Sequence, residues 1–186
     1  MPSPRPGMFA GNRSDVAHLP DPGQCLPNVD AFTKAHWADA QRIAMALGND
    51  VTPTEVLATA GNETRWGDLA TGLAKYGNFF GLHGAGPAGT YYTTGTTTDP
   101  KTSQKVHTAT AKFPVDQGFP QSGAVFARNE SPWMTPALGQ RPFDFFTVLN
   151  HHGYATGNHA YPAMMTNTAA KLRGAYTLAR ACTGQP

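Results

Sequence analysis

Glu63 is the residue best placed in this chain to move a proton. It lies seven positions after Val56 and three after Ala60, so on a helix all three share one apolar face. A carboxyl group on such a face loses hydration, which favours its protonated form. A neutral carboxylic acid beside a glycosidic oxygen can donate the proton that bond cleavage needs. Trp66, three residues further on, is the expected apolar wall. The plainer alternative is a helix-end carboxylate paired with Arg65 or a nearby backbone amide.

Other chemistries find less support. The chain has seven histidines. His151 and His152 are adjacent and point in different directions on a helix. His83, His107 and His159 are scattered, and no His-Glu-x-x-His motif is present. No metal and no cofactor is therefore expected. There is no Gly-x-Ser-x-Gly elbow. Gly84-x-Gly86-x-x-Gly89 matches a dinucleotide pattern in letters, but it precedes a strand instead of opening a helix. Cys25 and Cys182 flank the folded part. They read either as a disulfide closing one domain, worth roughly 3–5 kcal/mol, or as two unrelated buried thiols.

The elements that must position Glu63 are legible. Asp30 to Leu47 has apolar residues at helical spacing, with Gly48 as a stop. Thr52-Pro53-Thr54-Glu55 is a capping box with proline at the first helical position. The helix it opens runs toward Glu63. A glycine-rich loop follows, containing Asn78-Phe79-Phe80-Gly81. Thr90 to Thr98 and Lys105 to Phe113 are rich in Thr, Tyr and Val and predict a β-hairpin with a long tip. Helices are predicted over Ser122–Ala127, Pro142–His151 and Pro162–Ala181. The expected fold class is α+β, mostly α, with one hairpin inserted between helices.

The run from Ala58 to Gly67, containing Glu63-Thr64-Arg65-Trp66-Gly67, followed by Asn78-Phe79-Phe80-Gly81-Leu82-His83, resembles the glucosaminidases of glycoside hydrolase family 73. Thr64 stands for that family's Ser, Phe79 for its Leu and His83 for its Lys. Gly153-Tyr154-Ala155-Thr156 resembles the family's Gly-Tyr-Ala-Thr-Asp-Pro segment, with Gly157-Asn158 in place of Asp-Pro. The likeness spans about residues 30 to 180. It implies a lysozyme-like fold, with a helical lobe, a small β-hairpin lobe and a cleft between them. It also implies hydrolysis of the bond between N-acetylglucosamine and N-acetylmuramic acid in peptidoglycan.

Carried over by position, Glu63 becomes the catalytic acid and Tyr154 the tyrosine of the cleft. Asp99, after Thr96-Thr97-Thr98, becomes the second carboxylate. Asp68 and Asp116 are weaker choices, and Asp99 read without the family is a turn starter. Trp66, Asn78, Phe80, Tyr91 and Tyr161 are the candidates for touching substrate. Tyr92, Phe79 and Trp133 are further aromatic residues able to stack on sugars. Of Phe79 and Phe80, one is expected to pack and the other to face the cleft. A muramidase or lytic transglycosylase on the same fold, a metal-dependent cell-wall amidase and a binding module that lost turnover are the alternatives.

Composition agrees with one domain behind a tail. Of 186 residues, 40% are hydrophobic, so the chain can bury a core. The net charge of +2 and the absence of basic runs argue against nucleic acid as a partner. No apolar stretch is long enough to span a membrane. Residues 1–24 hold five prolines and no apolar core of a secretory signal, and read as a flexible tail before a domain over 25–186. A wall-degrading enzyme without such a signal would reach the periplasm or cell wall through a specialised secretion system, from a phage, or as part of a larger protein. A delivered toxin would imply an immunity protein.

Overall fold

The computed structural model describes residues 27–70, 72–98, 105–139, 144–154 and 159–182. The proline-rich segment 1–24, Cys25, Asp99 and the motif residues Ala155 to Asn158 lie outside the described residues, as does the Cys182 side chain. The described part is a helical body carrying one hairpin.

Helix α1 (Pro27–Leu47) buries Phe32, Ala40, Ile43, Ala44 and Leu47, the stripe expected from helical spacing. Helix α2 (Pro53–Thr64) opens as its capping box predicts. The Glu55 carboxylate accepts from the Thr52 amide at 2.7 Å and from the Thr52 hydroxyl at 2.8 Å. Apart from its first turn, α2 is buried on every side, from Val56 to Thr64. Small residues at Ala58, Ala60 and Gly61 make that possible, because α1 packs on one flank and α6 (Tyr161–Cys182) on another.

A short helix, α3 (Gly72–Lys75), leads through the 78–82 loop to strands β1 (Thr90–Thr98) and β2 (Lys105–Ala111). The strands are antiparallel, pairing Thr90 with Ala111 and Thr98 with Lys105, with a register shift between Tyr92 and Thr96. The loop after Gly81 adds a third rung on β2. Its members are a bridge from His83 to Thr110 and the bond from the Ala111 amide to the Leu82 carbonyl at 3.0 Å.

A single 3₁₀ turn (Val115–Gln117) leads into helix α4 (Gly118–Met134), which is much longer than the Ser122–Ala127 segment expected. Two prolines obscured it. Pro120 stands in the first turn, where the helix needs no amide donor. Pro132 stands inside the last turn, where a proline in the sequence reads as a helix breaker. Helix α5 (Phe145–His151) starts later than Pro142 because Asp144 caps it, accepting from the Phe146 and Thr147 amides. The core joins all the long helices, with Phe80, Phe119, Phe126, Phe145 and Phe146 near its centre. Among the described residues no helix is long and apolar enough to cross a membrane.

Candidate active site

Glu63 occupies the last turn of α2 and is 8% exposed. The helix ends abruptly beyond it. Arg65 and Trp66 both adopt left-handed backbone, with φ of 50° and 62°. That conformation costs non-glycine residues energy and is retained where the surroundings enforce it. The enforcement is visible. The Trp66 amide bonds the Gly61 carbonyl at 3.0 Å, and the Thr64 hydroxyl accepts from the Gly67 amide at 3.0 Å.

The reversal lays the Trp66 indole flat on Gly61, where a Cβ would come within 2.4 Å of the ring. This corrects the expected role of Trp66. Gly61 and Glu63 are two residues apart, about 200° around the helix, so the indole covers a different side of α2 from the Glu63 side chain. Phe32 also stands edge-on to it, ring centroids 5.7 Å apart.

The wall beside Glu63 comes from the 78–82 loop. Gly81 has φ of 62°, and a Cβ built on it would stand 2.7 Å from Glu63 Oε2. The carboxylate thus lies against the Gly81 backbone. Asn62 Nδ2 stands 3.5 Å from the other oxygen, a long contact.

Three anchors hold this loop. Fully buried Asn78 donates to the Leu82 carbonyl at 2.8 Å and to the Ala111 carbonyl at 3.0 Å, and accepts from the Leu82 amide at 2.9 Å. Ser122 of α4 accepts from the Phe79 amide at 3.3 Å. Tyr154, just after α5, donates its hydroxyl to the Phe80 carbonyl at 3.2 Å. Asn78 and Tyr154 therefore grip the loop from either side of the contact between Gly81 and Glu63.

Several expected substrate contacts belong to the interior instead. Phe80 is 0% exposed and stacks on Phe126 at 4.8 Å, so it offers no face to a sugar. Phe79 is buried too, among Phe32, His36 and Phe119. Tyr161 is 1% exposed, between Phe146 and Tyr154. Asn78 is spent on the loop. In each case long-range packing, invisible in a local motif, decides which way the side chain turns.

Tyr91 is half-buried on the hairpin and packs at a tilt against Tyr76, ring centroids 4.3 Å apart, with Lys112 over the Tyr76 ring. Burial raises the Tyr91 pKa above its ordinary value, and the neighbouring Tyr76 adds to that shift. Tyr92 next to it is exposed. Asp68 is exposed and caps the Ala70 amide at 2.8 Å, which suits a turn. Asp116 is exposed in the 3₁₀ turn.

Motif reading passed over two features. One is the contact of Gly81 with Glu63. The other is Glu130, at 4% exposure the second buried carboxylate among the described residues. It sits on α4 with no motif around it, so no sequence signal marked it. Among the described residues no group of three or more His, Cys, Asp or Glu is arranged to hold a metal ion.

No protein-family model and no curated protein matches the chain by sequence. Solved structures do match it. The catalytic domain of the autolysin Auto from Listeria monocytogenes superposes with a TM-score of 0.60 at 15% identity, covering 88% of this chain and 93% of that one. A type VI secretion system effector–immunity complex from Pseudomonas protegens contains a chain with TM-score 0.54 and 25% identity, covering 80% of this chain and 93% of that one. A peptidoglycan hydrolase from Sphingomonas sp. A1 gives 0.55 at 19% identity, covering 80% and 94%. A buried glutamate at the end of a central helix, beside a loop tied to a small hairpin lobe, is thus set in the lysozyme-like fold these proteins share.

Proposed function

We propose that this chain is a peptidoglycan hydrolase that cleaves the bond between N-acetylglucosamine and N-acetylmuramic acid. The observation that carries the reading is Glu63, a buried carboxyl at the end of α2, packed against a loop with no side chain at Gly81. Its support is the fold shared with an autolysin catalytic domain and a peptidoglycan hydrolase.

Glu63 gives its proton to the glycosidic oxygen as the bond to the sugar C1 breaks. Water adds to C1, leaving a new reducing end on one fragment and a hydroxyl on the other. Asp99, after the threonine-rich strand, activates that water or steadies the oxocarbenium-like charge. The substrate's own N-acetyl group can replace it in that role. Tyr154 contributes through the loop it holds.

The place of action is the bacterial periplasm or cell wall. One solved relative is a chain of a type VI secretion system effector–immunity complex, which supports delivery by a secretion machine and an immunity protein as a partner here. The test is mass spectrometry of fragments released from purified sacculi. A new reducing N-acetylglucosamine end is expected. A reducing N-acetylmuramic acid end identifies a muramidase, and an anhydro end a transglycosylase. Glu63→Gln, which cannot donate a carboxylic proton, is expected to lose about a hundredfold in rate or more while keeping its fold. Wild-type clearance by folded Glu63→Gln removes Glu63 from the mechanism.

A further inference from the structure

Next to the Glu63 site lies a cavity of about 440 Å³ that the proposed reaction does not use. Glu63 is not in its wall, but the two are joined by the same loop. Leu82 lines the cavity and directly follows Gly81, the residue in contact with the acid. Tyr154 lines it too, and its hydroxyl holds the carbonyl just before Gly81. A polymer with its scissile bond at Glu63 would therefore bring its neighbouring substituents to this opening.

The lining speaks against a sugar ring. Sugars stack on exposed aromatic faces, and the phenyl and phenol rings of this wall, Phe113 and Tyr154, are 3% and 2% exposed. What the wall does offer is a mixed lining: buried Leu82, Ala111 and Phe113 at its back and one exposed cation, Arg128, at its edge. Arg128 stands exposed on α4, and His152 is held against Trp133 by stacking at 4.5 Å. Glu130 supplies one buried carboxylate. Arg128 also borders a shallow groove beside α1, but the acid of that groove, Asp39, pairs with Arg42. A short chain carrying carboxylates is what an exposed arginine at the edge of such a cavity can hold, through charge-assisted hydrogen bonds.

Peptidoglycan carries such a group: the short stem peptide on its muramic acid, with alanine methyls and free carboxylates. We propose that this cavity receives the stem peptide, with one of its carboxylates on Arg128. The inference rests on peptidoglycan being the substrate, and makes the enzyme read the peptide as well as the glycan.

Two substrates separate the possibilities: intact sacculi, and glycan strands whose peptides an amidase has removed. Fragment release by the full chain is measured on both. Arg128→Ala is expected to slow cleavage of intact sacculi about threefold to tenfold, and Arg128→Glu to slow it further. Both variants should match the wild type on stripped strands. Arg128 is exposed, so folding should survive, and a melting curve checks it. If the wild type cuts only peptide-bearing strands, the loss in Arg128→Ala on intact sacculi decides alone. Equal losses on both substrates, or none on intact sacculi, overturn the inference and leave the hydrolase reading standing. A wild type that cuts neither substrate overturns the hydrolase reading and this inference with it.

Discussion

The Glu63 carboxylate fills the space where a side chain on Gly81 would begin: a Cβ there would stand 2.7 Å from Oε2 and 3.2 Å from Cδ. Eighteen positions of sequence separate the two residues. The loop backbone is thus one wall of the acid, and its left-handed φ of 62° keeps it there.

Gly81→Ala should therefore be doubly unfavourable. The backbone strain and the clash together are expected to cost about 1–3 kcal/mol, and the carboxylate must move. Activity on sacculi should fall by more than tenfold. Gly84→Ala is the control, since Gly84 also has positive φ, 90°, but nothing lies within 4 Å of its added Cβ. Equal activity in the two variants would show that only backbone strain matters.

Tyr154→Phe tests whether the tyrosine acts through the loop or on the substrate. Losing its bond to the buried Phe80 carbonyl should cost about 1–2 kcal/mol of stability. As a positioning residue it should lower kcat roughly threefold to tenfold with KM little changed. A loss of a hundredfold or more at unchanged stability would make the hydroxyl a direct participant.

His36 gives a pH dependence. Its ring stacks on Phe119 at 4.1 Å, and burial lowers its pKa, with Asp39 opposing part of that shift. As pH falls, the unfolded chain takes up the proton first. The His36 contribution is complete above about pH 6.5, the unfolded value, and declines from there toward the folded pKa. Melting temperatures at pH 5 and 7 should differ more in the wild type than in His36→Gln. An identical difference in both would remove His36 from the effect.

Asp99→Asn tests the second carboxylate. As a catalytic group, its loss should reduce turnover more than tenfold while binding of glycan fragments stays nearly unchanged. As a turn starter, aspartate can be replaced by asparagine at little cost. Wild-type turnover in this variant takes Asp99 out of the reaction.

What the sequence by itself determined is local. Thr52 and Glu55 start α2, because one carboxylate three residues along can reach the first free donors. Helical spacing then sets Glu63 in register with Val56 and Ala60, while the burial of the other sides of α2 comes from the helices packed around it. Richness in Thr, Tyr and Val marked the hairpin strands. Everything that makes a site around Glu63 was left to the tertiary structure. Asn78 reaches Ala111 across 33 positions, and Tyr154 reaches Phe80 across 74. Phe80 turns into the core because Phe126 is there to stack on it, and Trp66 turns onto Gly61 because two successive residues adopt left-handed backbone. Helical period and cap chemistry act over a few residues, and so can be read in order. Which aromatic ring is buried, and which backbone meets a carboxylate, depends on partners that only the closed fold brings together.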